Sequence, residues 1–545
     1  MNSKISLRKG VFFPAFLLVL GAGVAGLVNN KLLINCFQAV FTWSYVNLSW
    51  MYQFIMAALF VLCCLLLFSR KGDIRIGGKD AKPKYSFWTW FAMSLTGGIG
   101  ASIVSSGVSQ PITFLESVWG ELEGYGIEPG SSDAVLFALG RSFHEWALAE
   151  TLLPVNSEAV LFALGRTFHE WAFFPYAFYG VCGVLIAYVC YNKKKPLTIS
   201  STLSPLFGDK ASRPGVAALV DMSAVLALAL AIVGTLGTFI GLVTSCLKQV
   251  YGLTVGAPVM FAVMAVTTVV YLLSSLSGVD KGIKFFARLN FRFYMLLLLV
   301  VALLGGSLAW ILNAGTSSLG YWLQNLPLWT FDTGTAGGEN LIKWWTIYNW
   351  TFWMAFAPVT GVFLAQLSYG HTIREVLIVN WIMPSVFAVV WFSIFGGCAI
   401  DWQLSGVVDL AAVMQENGTY AAIWSFIRQL PLSAVLVPVT LFVMLISFST
   451  SADNSITVIS ALCMRGRRIG DEAPAPVKIA WGVAIGLLSF LLMAYASGGK
   501  GNDGVRYMVV SIGSVFSILI ILQIAAAVKV FFFPSRSEDE ADISQ

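Results

Sequence analysis

A chain of 545 residues that is 57% apolar and only 11% charged, with a mean hydropathy of +0.78, does not fit a soluble globular fold, in which about a quarter of residues carry charge. The eight cysteines are scattered through apolar runs, only three histidines occur, and no glycine-rich phosphate loop or Ser/His/Asp grouping is visible. Disulfide scaffolds, zinc sites and enzyme chemistry therefore have no footing here. The net charge of +5 follows from where the basic residues sit and needs no nucleic-acid partner.

Runs of about 18 or more mostly apolar residues are long enough to cross the hydrocarbon layer as helices. They predict twelve spans, at 11–29, 48–69, 87–113, 171–192, 216–247, 254–276, 290–313, 344–368, 376–400, 432–463, 476–496 and 506–533. Twelve is even, so both ends lie on one side. With the N-terminus inside, the cytoplasmic segments hold 25 of the 33 Lys and Arg, and the positive-inside rule predicts cytoplasmic termini. The first span follows Lys4, Arg8 and Lys9 like a signal peptide. Its apolar run is too long for one, and another span follows closely, so it reads as an uncleaved helix. The tail from Pro534 to Gln545 is short and acidic and reads as a solvated end.

Between the third and fourth spans the chain repeats itself. Ser132 to Ala147 and Ser157 to Ala172 match at fourteen of sixteen positions with an offset of 25, a tandem duplication too short for a solenoid. The second copy runs into the fourth span, and the first reads as an inserted extracellular helix. His144-Glu145 and His169-Glu170 are explained by copying, since no Cys or further His completes a metal set.

Most charges avoid the spans, so polar or helix-breaking residues inside them carry the information. The third span holds Gly97, Gly98, Gly100, Ser102, Ser105, Ser106, Gly107, Ser109 and Pro111, and Ser447 to Ser455 interrupts the tenth with Asp453 at its centre. Irregular backbone at membrane depth survives only where protein buries it or a cavity is lined. Two such helices point to a transporter's solute and ion site, against the plainer reading of close packing through small residues. Asp453 within a span is costly and reads as functional. A second cue is aromatic: Trp171, Tyr176 and Tyr179, and Trp350, Phe352, Trp353 and Phe356. Ring faces attract a quaternary ammonium group that cannot donate hydrogen bonds, at about 0.5–2 kcal/mol per ring. Trp88, Trp90, Trp344, Trp345 and Trp402 lie near span ends and fit an interfacial belt.

Several stretches together resemble the betaine/carnitine/choline transporter family. They are GDIRIGGKDAKPKYSFWTWFAM from Gly72, FHEWAFFPYAFYG from Phe168, SGVDKGIK from Ser277, WTIYNWTFWMAFAP from Trp345, GHTIREV from Gly370 and STSADNS from Ser449. The resemblance implies an all-α polytopic fold of about twelve transmembrane helices, with two five-helix inverted repeats after two extra helices. It divides the chain at 1–86, 87–325 (with the duplicated segment at 132–172), 326–533 and 534–545. It implies sodium-coupled import of a quaternary-ammonium or zwitterionic solute such as the osmoprotectant glycine betaine, in a bacterial inner membrane. Carried over, the solute site is Trp171, Tyr176, Tyr179 and Trp353, with Phe352 and Phe356 where many members have tryptophan. The sodium site is the hydroxyls of Thr450 and Ser451 and carbonyls near Thr96 and Ile99, with a second sodium near Thr235 or Thr238. Hard oxygen ligands suit an alkali cation.

The chain departs from the family pattern at Ile99, Ala101 and Ser102, at Gln110 where a glutamate is usual, and at the extra Glu170. No Lys or Arg lies between Gly215 and Cys246, whereas sodium-independent members carry an arginine in the fifth helix. The short acidic tail implies no osmotic regulation through it, and a homotrimer is the assembly the resemblance suggests. No cofactor and no enzymatic role are expected. A sodium-independent exchanger, or a carrier of choline, carnitine, a sulfonium compound or taurine, is the rival on the same fold. An ion channel lacks a repeated pore loop or carboxylate ring.

Overall fold

Apolar segments surrounded by lipid have no water to take up backbone N–H and C=O groups, so they must satisfy them internally, and this chain does so with helices. The computed structural model describes residues 6–98, 102–123, 129, 157–277, 284–335, 337–465, 472–494 and 501–534. Ile99, the first copy of the duplication, most of the 277–284 motif and the tail from 535 lie outside them. In chain order the main helices are α1 (Lys9–Phe68), α2 (Phe87–Gly98), α3 (Ser102–Glu116), α4 (Ser157–Trp171), α5 (Phe173–Ala187), α6 (Pro214–Gln249), α7 (Ala257–Ser277) and α8 (Lys284–Leu304). They continue with α9 (Leu308–Thr330), α10 (Tyr348–Leu367), α11 (Met383–Leu404), α12 (Ala421–Gln429), α13 (Ser433–Leu462), α14 (Ala475–Ala494) and α15 (Gly501–Phe532). The protein is an all-α polytopic membrane protein. Among the described residues nine helices are long and apolar enough to cross a membrane, or ten if the bent pair Glu339–Ala357 and Thr360–Leu367 is one span.

α1 has 60 residues, about 90 Å if straight and three times the hydrocarbon thickness. It does not run straight: Asn29 has non-helical angles (φ −155°, ψ 83°). The limb before Asn29 lies on α14, where the Phe12 and Trp481 rings are 5.9 Å apart. The limb after it lies on α15, where the Ser44 and Ser514 hydroxyls are 2.7 Å apart. The first two expected spans thus fall on the two limbs, and the second limb begins well before residue 48. α2 and α3 have 12 and 15 residues, each shorter than a crossing. Ala172 (φ −99°, ψ −144°) divides α4 from α5. The bent pair turns by 53° where the sequence holds Pro358, whose missing N–H breaks the ladder.

The expected interruption of the tenth span is absent, since α13 runs unbroken through Ser447–Ser455. Thr450 folds its hydroxyl back instead, Oγ1 donating to the Ile446 carbonyl at 2.8 Å, which satisfies the side chain without opening the helix. Asp453 is likewise accounted for by packing. Its carboxylate accepts from Ser274 Oγ on α7 at 2.6 Å and from Thr457 Oγ1 at 3.3 Å, while Lys478 Nζ on α14 donates to the nearby Ser275 carbonyl at 2.7 Å. Helices approach closely where side chains vanish. A Cβ on Gly513 of α15 would stand 2.3 Å from the Thr351 carbonyl of α10.

At one end of the bundle the two-residue strands Ser6–Leu7 and Met464–Arg465 pair antiparallel. Arg8 follows, its guanidinium 2.7 Å from the fully buried Asp221 carboxylate on α6 and donating to the Leu462 carbonyl on α13 at 3.0 Å. The Ser200 N–H completes the carboxylate at 2.8 Å. Three distant parts of the chain meet on one buried charge. Removing one partner of such a pair leaves the other uncompensated, so Asp221→Ala should cost about 3–5 kcal/mol. The double replacement Arg8→Met with Asp221→Leu should recover much of that loss. Unfolding midpoints in detergent check both, and equal losses would show that the charge pair is not the source.

Candidate functional site

The break at Ala172 sets the first wall of the site. Trp171 ends α4, and Tyr176 and Tyr179 follow one helical turn apart on α5, so all three rings converge. The second wall is α10, entered through a π turn at Ile342–Ile347. α5 and α10 pack along each other and bring the two aromatic sets together. Trp353 is the hub: its ring centroid lies 6.2 Å from Trp171, 5.5 Å from Tyr176 and 5.2 Å from Tyr179, at interplanar angles of 64–88°. Phe352 and Phe356 pack beside it, their ring centroids 5.0 Å apart and their planes tilted by 43°.

These rings border a cavity of about 110 Å³. Trp171, Tyr179, Phe352, Trp353 and Phe356 line it, and Tyr176 stands behind against the Trp353 ring. α3 supplies a polar wall of Ser102, Ser105, Ser106, Ser109 and Gln110, and α6 adds Thr235 and Thr238. Ser451 of α13 also lines it, so the hydroxyl-rich helix and the aromatic box share one space. Trp345, Tyr348, Asn349, Thr419, Tyr420 and Arg506 complete the lining. Gly241 seats Tyr420, since a Cβ there would lie 2.4 Å from its ring.

Of the sequence-derived sodium set, Ser451 lies on the cavity. Thr450 is buried and absent from its lining, and Thr96 is buried with its hydroxyl donating to the Ala92 carbonyl at 2.7 Å. Ile99 is outside the described residues. Trp350 is turned away: its indole donates to Gln53 Oε1 at 2.9 Å and ties α10 to α1. Three residues assigned to an interfacial belt, Trp90, Trp345 and Trp402, are buried instead. Trp90 stacks on His371 at 3.7 Å, and Trp345 lines the cavity. The sequence reading also missed Arg506, Tyr348, Asn349, Thr419 and Tyr420, which stand at helix starts and connections where composition alone gives no signal.

Behind the box sits a buried polar cluster. The Glu170 carboxylate accepts from Thr346 Oγ1 at 2.7 Å and Asn349 Nδ2 at 3.1 Å, with Arg166 Nε 3.7 Å away. Arg166 also donates to Thr346 Oγ1 at 2.6 Å. The extra glutamate therefore orients Asn349, a lining residue, and His169 Nδ1 is taken by the Trp322 indole at 3.3 Å. Among the described residues no group of three or more His, Cys, Asp or Glu is placed to hold a metal. Near Arg506, Glu121 accepts from the Trp119 N–H at 2.8 Å and the Trp345 indole at 3.1 Å. Burial pushes its carboxyl above the ordinary value, and those two bonds with Arg506 pull it back.

The chain matches the model of the betaine/carnitine/choline family transporters over residues 10–153 and 149–533. It is 29% identical over 541 residues to the glycine betaine transporter OpuD of Bacillus subtilis, covering 98% of this chain and 96% of that one. It is 31% identical over 448 residues to glycine betaine transporter 1 of Vibrio parahaemolyticus, covering 81% and 78%. An osmo-dependent choline transporter of Acinetobacter baylyi is 26% identical over 540 residues, covering 97% and 72%.

Because Trp353 contacts three other rings of the box, Trp353→Leu should weaken binding of a tetramethylammonium probe about tenfold or more. Calorimetry on the detergent-solubilised protein measures this, and an unchanged affinity would remove the box from the site.

Proposed function

From the premise that this chain belongs to the betaine/carnitine/choline transporter family, and is a transporter rather than an enzyme, we propose that it imports a quaternary-ammonium or related zwitterionic solute of the glycine betaine type by sodium-coupled alternating access. The observation that carries this is the convergence of Trp171, Tyr179 and Trp353 on a cavity that Ser451 also lines. The rings attract the ammonium head, which no hydrogen-bonding site would hold. Sodium is taken as a second cargo by the Thr450 and Ser451 hydroxyls with carbonyls near Thr96 and Ile99. The chemistry of these donors supports it. Thr450 spends its hydrogen on Ile446 and keeps its lone pairs, and hard oxygens without a competing histidine or thiol suit an alkali ion.

Solute and sodium together stabilise the state that closes and reopens inward. One sodium moving inward through 100 mV releases about 2.3 kcal/mol, and a tenfold gradient adds about 1.4 kcal/mol. Their sum concentrates a neutral zwitterion several hundredfold, on the order of 500-fold. The membrane is the bacterial inner membrane, with both termini cytoplasmic as the basic residues favour, and the assembly is a homotrimer.

Proteoliposomes given labelled glycine betaine should accumulate it with an inward sodium gradient and not with an equal potassium gradient. Uptake that requires counter-solute inside the vesicles and ignores sodium would replace symport with exchange. Thr450→Ala with Ser451→Ala should move the sodium titration to about tenfold higher concentration or beyond, and an unshifted titration would remove this ion site.

A further inference from the structure

Aromatic rings alone hold any quaternary ammonium compound, whether a net cation such as choline or a zwitterion such as glycine betaine. The rest of the cavity lining differs in kind. Arg506 is the one formally charged side chain among the described lining residues, and no carboxylate is among them. Its guanidinium lies over the rings of Trp345 and Tyr348, at 5.3 and 5.2 Å from their centroids. Stacking uses the flat faces of a guanidinium and leaves its N–H fork available in the plane. Among the described residues no hydrogen bond or ion pair engages that fork. The neighbouring acid, Glu121, is 2% exposed, does not line the cavity, and is committed to Trp119 and Trp345.

Gln110 adds a second donor without an acceptor. The Trp171 indole N–H can only donate, so the atom facing it at 2.5 Å is Gln110 Oε1. The amide nitrogen, Nε2, is thereby freed; it is buried and has no partner among the described residues. Gln110 itself is 1% exposed, lines the cavity, and touches the aromatic box through that bond. A buried donor left without an acceptor is costly. The lining therefore joins ring faces for a cation with the Arg506 fork, and the unpaired Gln110 Nε2 lies buried just beneath its surface.

We propose that Gln110 and Arg506 read an acidic group on the solute, so that the site selects zwitterions over net cations bearing the same ammonium head. The proposal rests on the transport reading above and adds its charge selectivity. A zwitterion satisfies both donors while its head occupies the box. A net cation such as choline offers Gln110 Nε2 at most a neutral hydroxyl oxygen and meets the like charge of Arg506.

The test compares inhibition of labelled glycine betaine uptake by choline and by unlabelled glycine betaine in proteoliposomes of the full chain. Gln110→Glu keeps the Trp171 bond but puts a negative charge where a donor stood, and Arg506→Gln removes the positive one. Each should lower the preference for glycine betaine over choline by about tenfold or more, whereas Arg506→Lys should hold it within about threefold. Unfolding midpoints in detergent establish that each variant is folded, and equilibrium binding of the two solutes gives the same ratio for any variant that no longer transports. Equal weakening of both solutes, or an unchanged ratio, overturns the proposal. A shift in one variant alone overturns the role of the other residue. Wild-type protein that neither takes up nor binds either solute overturns the transport reading itself, a result separate from any change in ratio among variants.

Discussion

Hydrocarbon offers no hydrogen bonds, and everything in this molecule answers to that constraint. It forces the apolar runs into helices and turns polar side chains inward. Thr450 on Ile446, Thr351 on Ile347 and Ser385 on Trp381 all return their hydroxyls to their own helix. Other polar groups reach a neighbouring helix, as Asp453 does to Ser274 and Trp350 to Gln53. Association between helices in lipid depends on such bonds and on close fit rather than on expulsion of water. The contact between Gly513 and the Thr351 backbone is one example of that fit.

The cavity is the place where the constraint is relaxed. There α3, α5, α6, α10 and α13 leave space between them, and serines, threonines and Gln110 line it. The break at Ala172 and the π turn at Ile342–Ile347 lie on its borders, where departures from regular helix geometry re-aim side chains. Glu170 and Arg166 form a buried polar backing that fixes Asn349, and the aromatic hub at Trp353 stands in front of it, with ring faces of the kind that attract positive charge. Cation attraction, hydroxyl oxygens and unpaired donors thus occupy one small volume, which a membrane interior tolerates only when the groups complement a ligand or one another.

Two sequence features are reassigned by packing. Asp453 and its flanking serines have the look of a helix break, because polar residues in lipid are expensive, yet α13 continues through them and uses Asp453 to hold α7. Trp345 has the look of an interfacial anchor at a span end, yet the π turn carries it onto the cavity. In both cases residue type and depth were legible, but the direction in which the side chain points depends on helix rotation and on neighbours far along the chain.

Composition and the spacing of apolar runs determined by themselves that the chain is a polytopic helical membrane protein, because the hydrocarbon thickness and the need to satisfy the backbone leave no other solution. The aromatic residues of the box were also legible, since Trp171, Tyr176, Tyr179 and Trp353 stand out against otherwise aliphatic spans. Only the tertiary structure decided that Arg506, more than 300 residues away from Trp171, faces the same cavity, and that Gln110 turns its oxygen to the indole and leaves its nitrogen free. Those facts arise from contacts between helices distant in sequence, and no local pattern of residues encodes them.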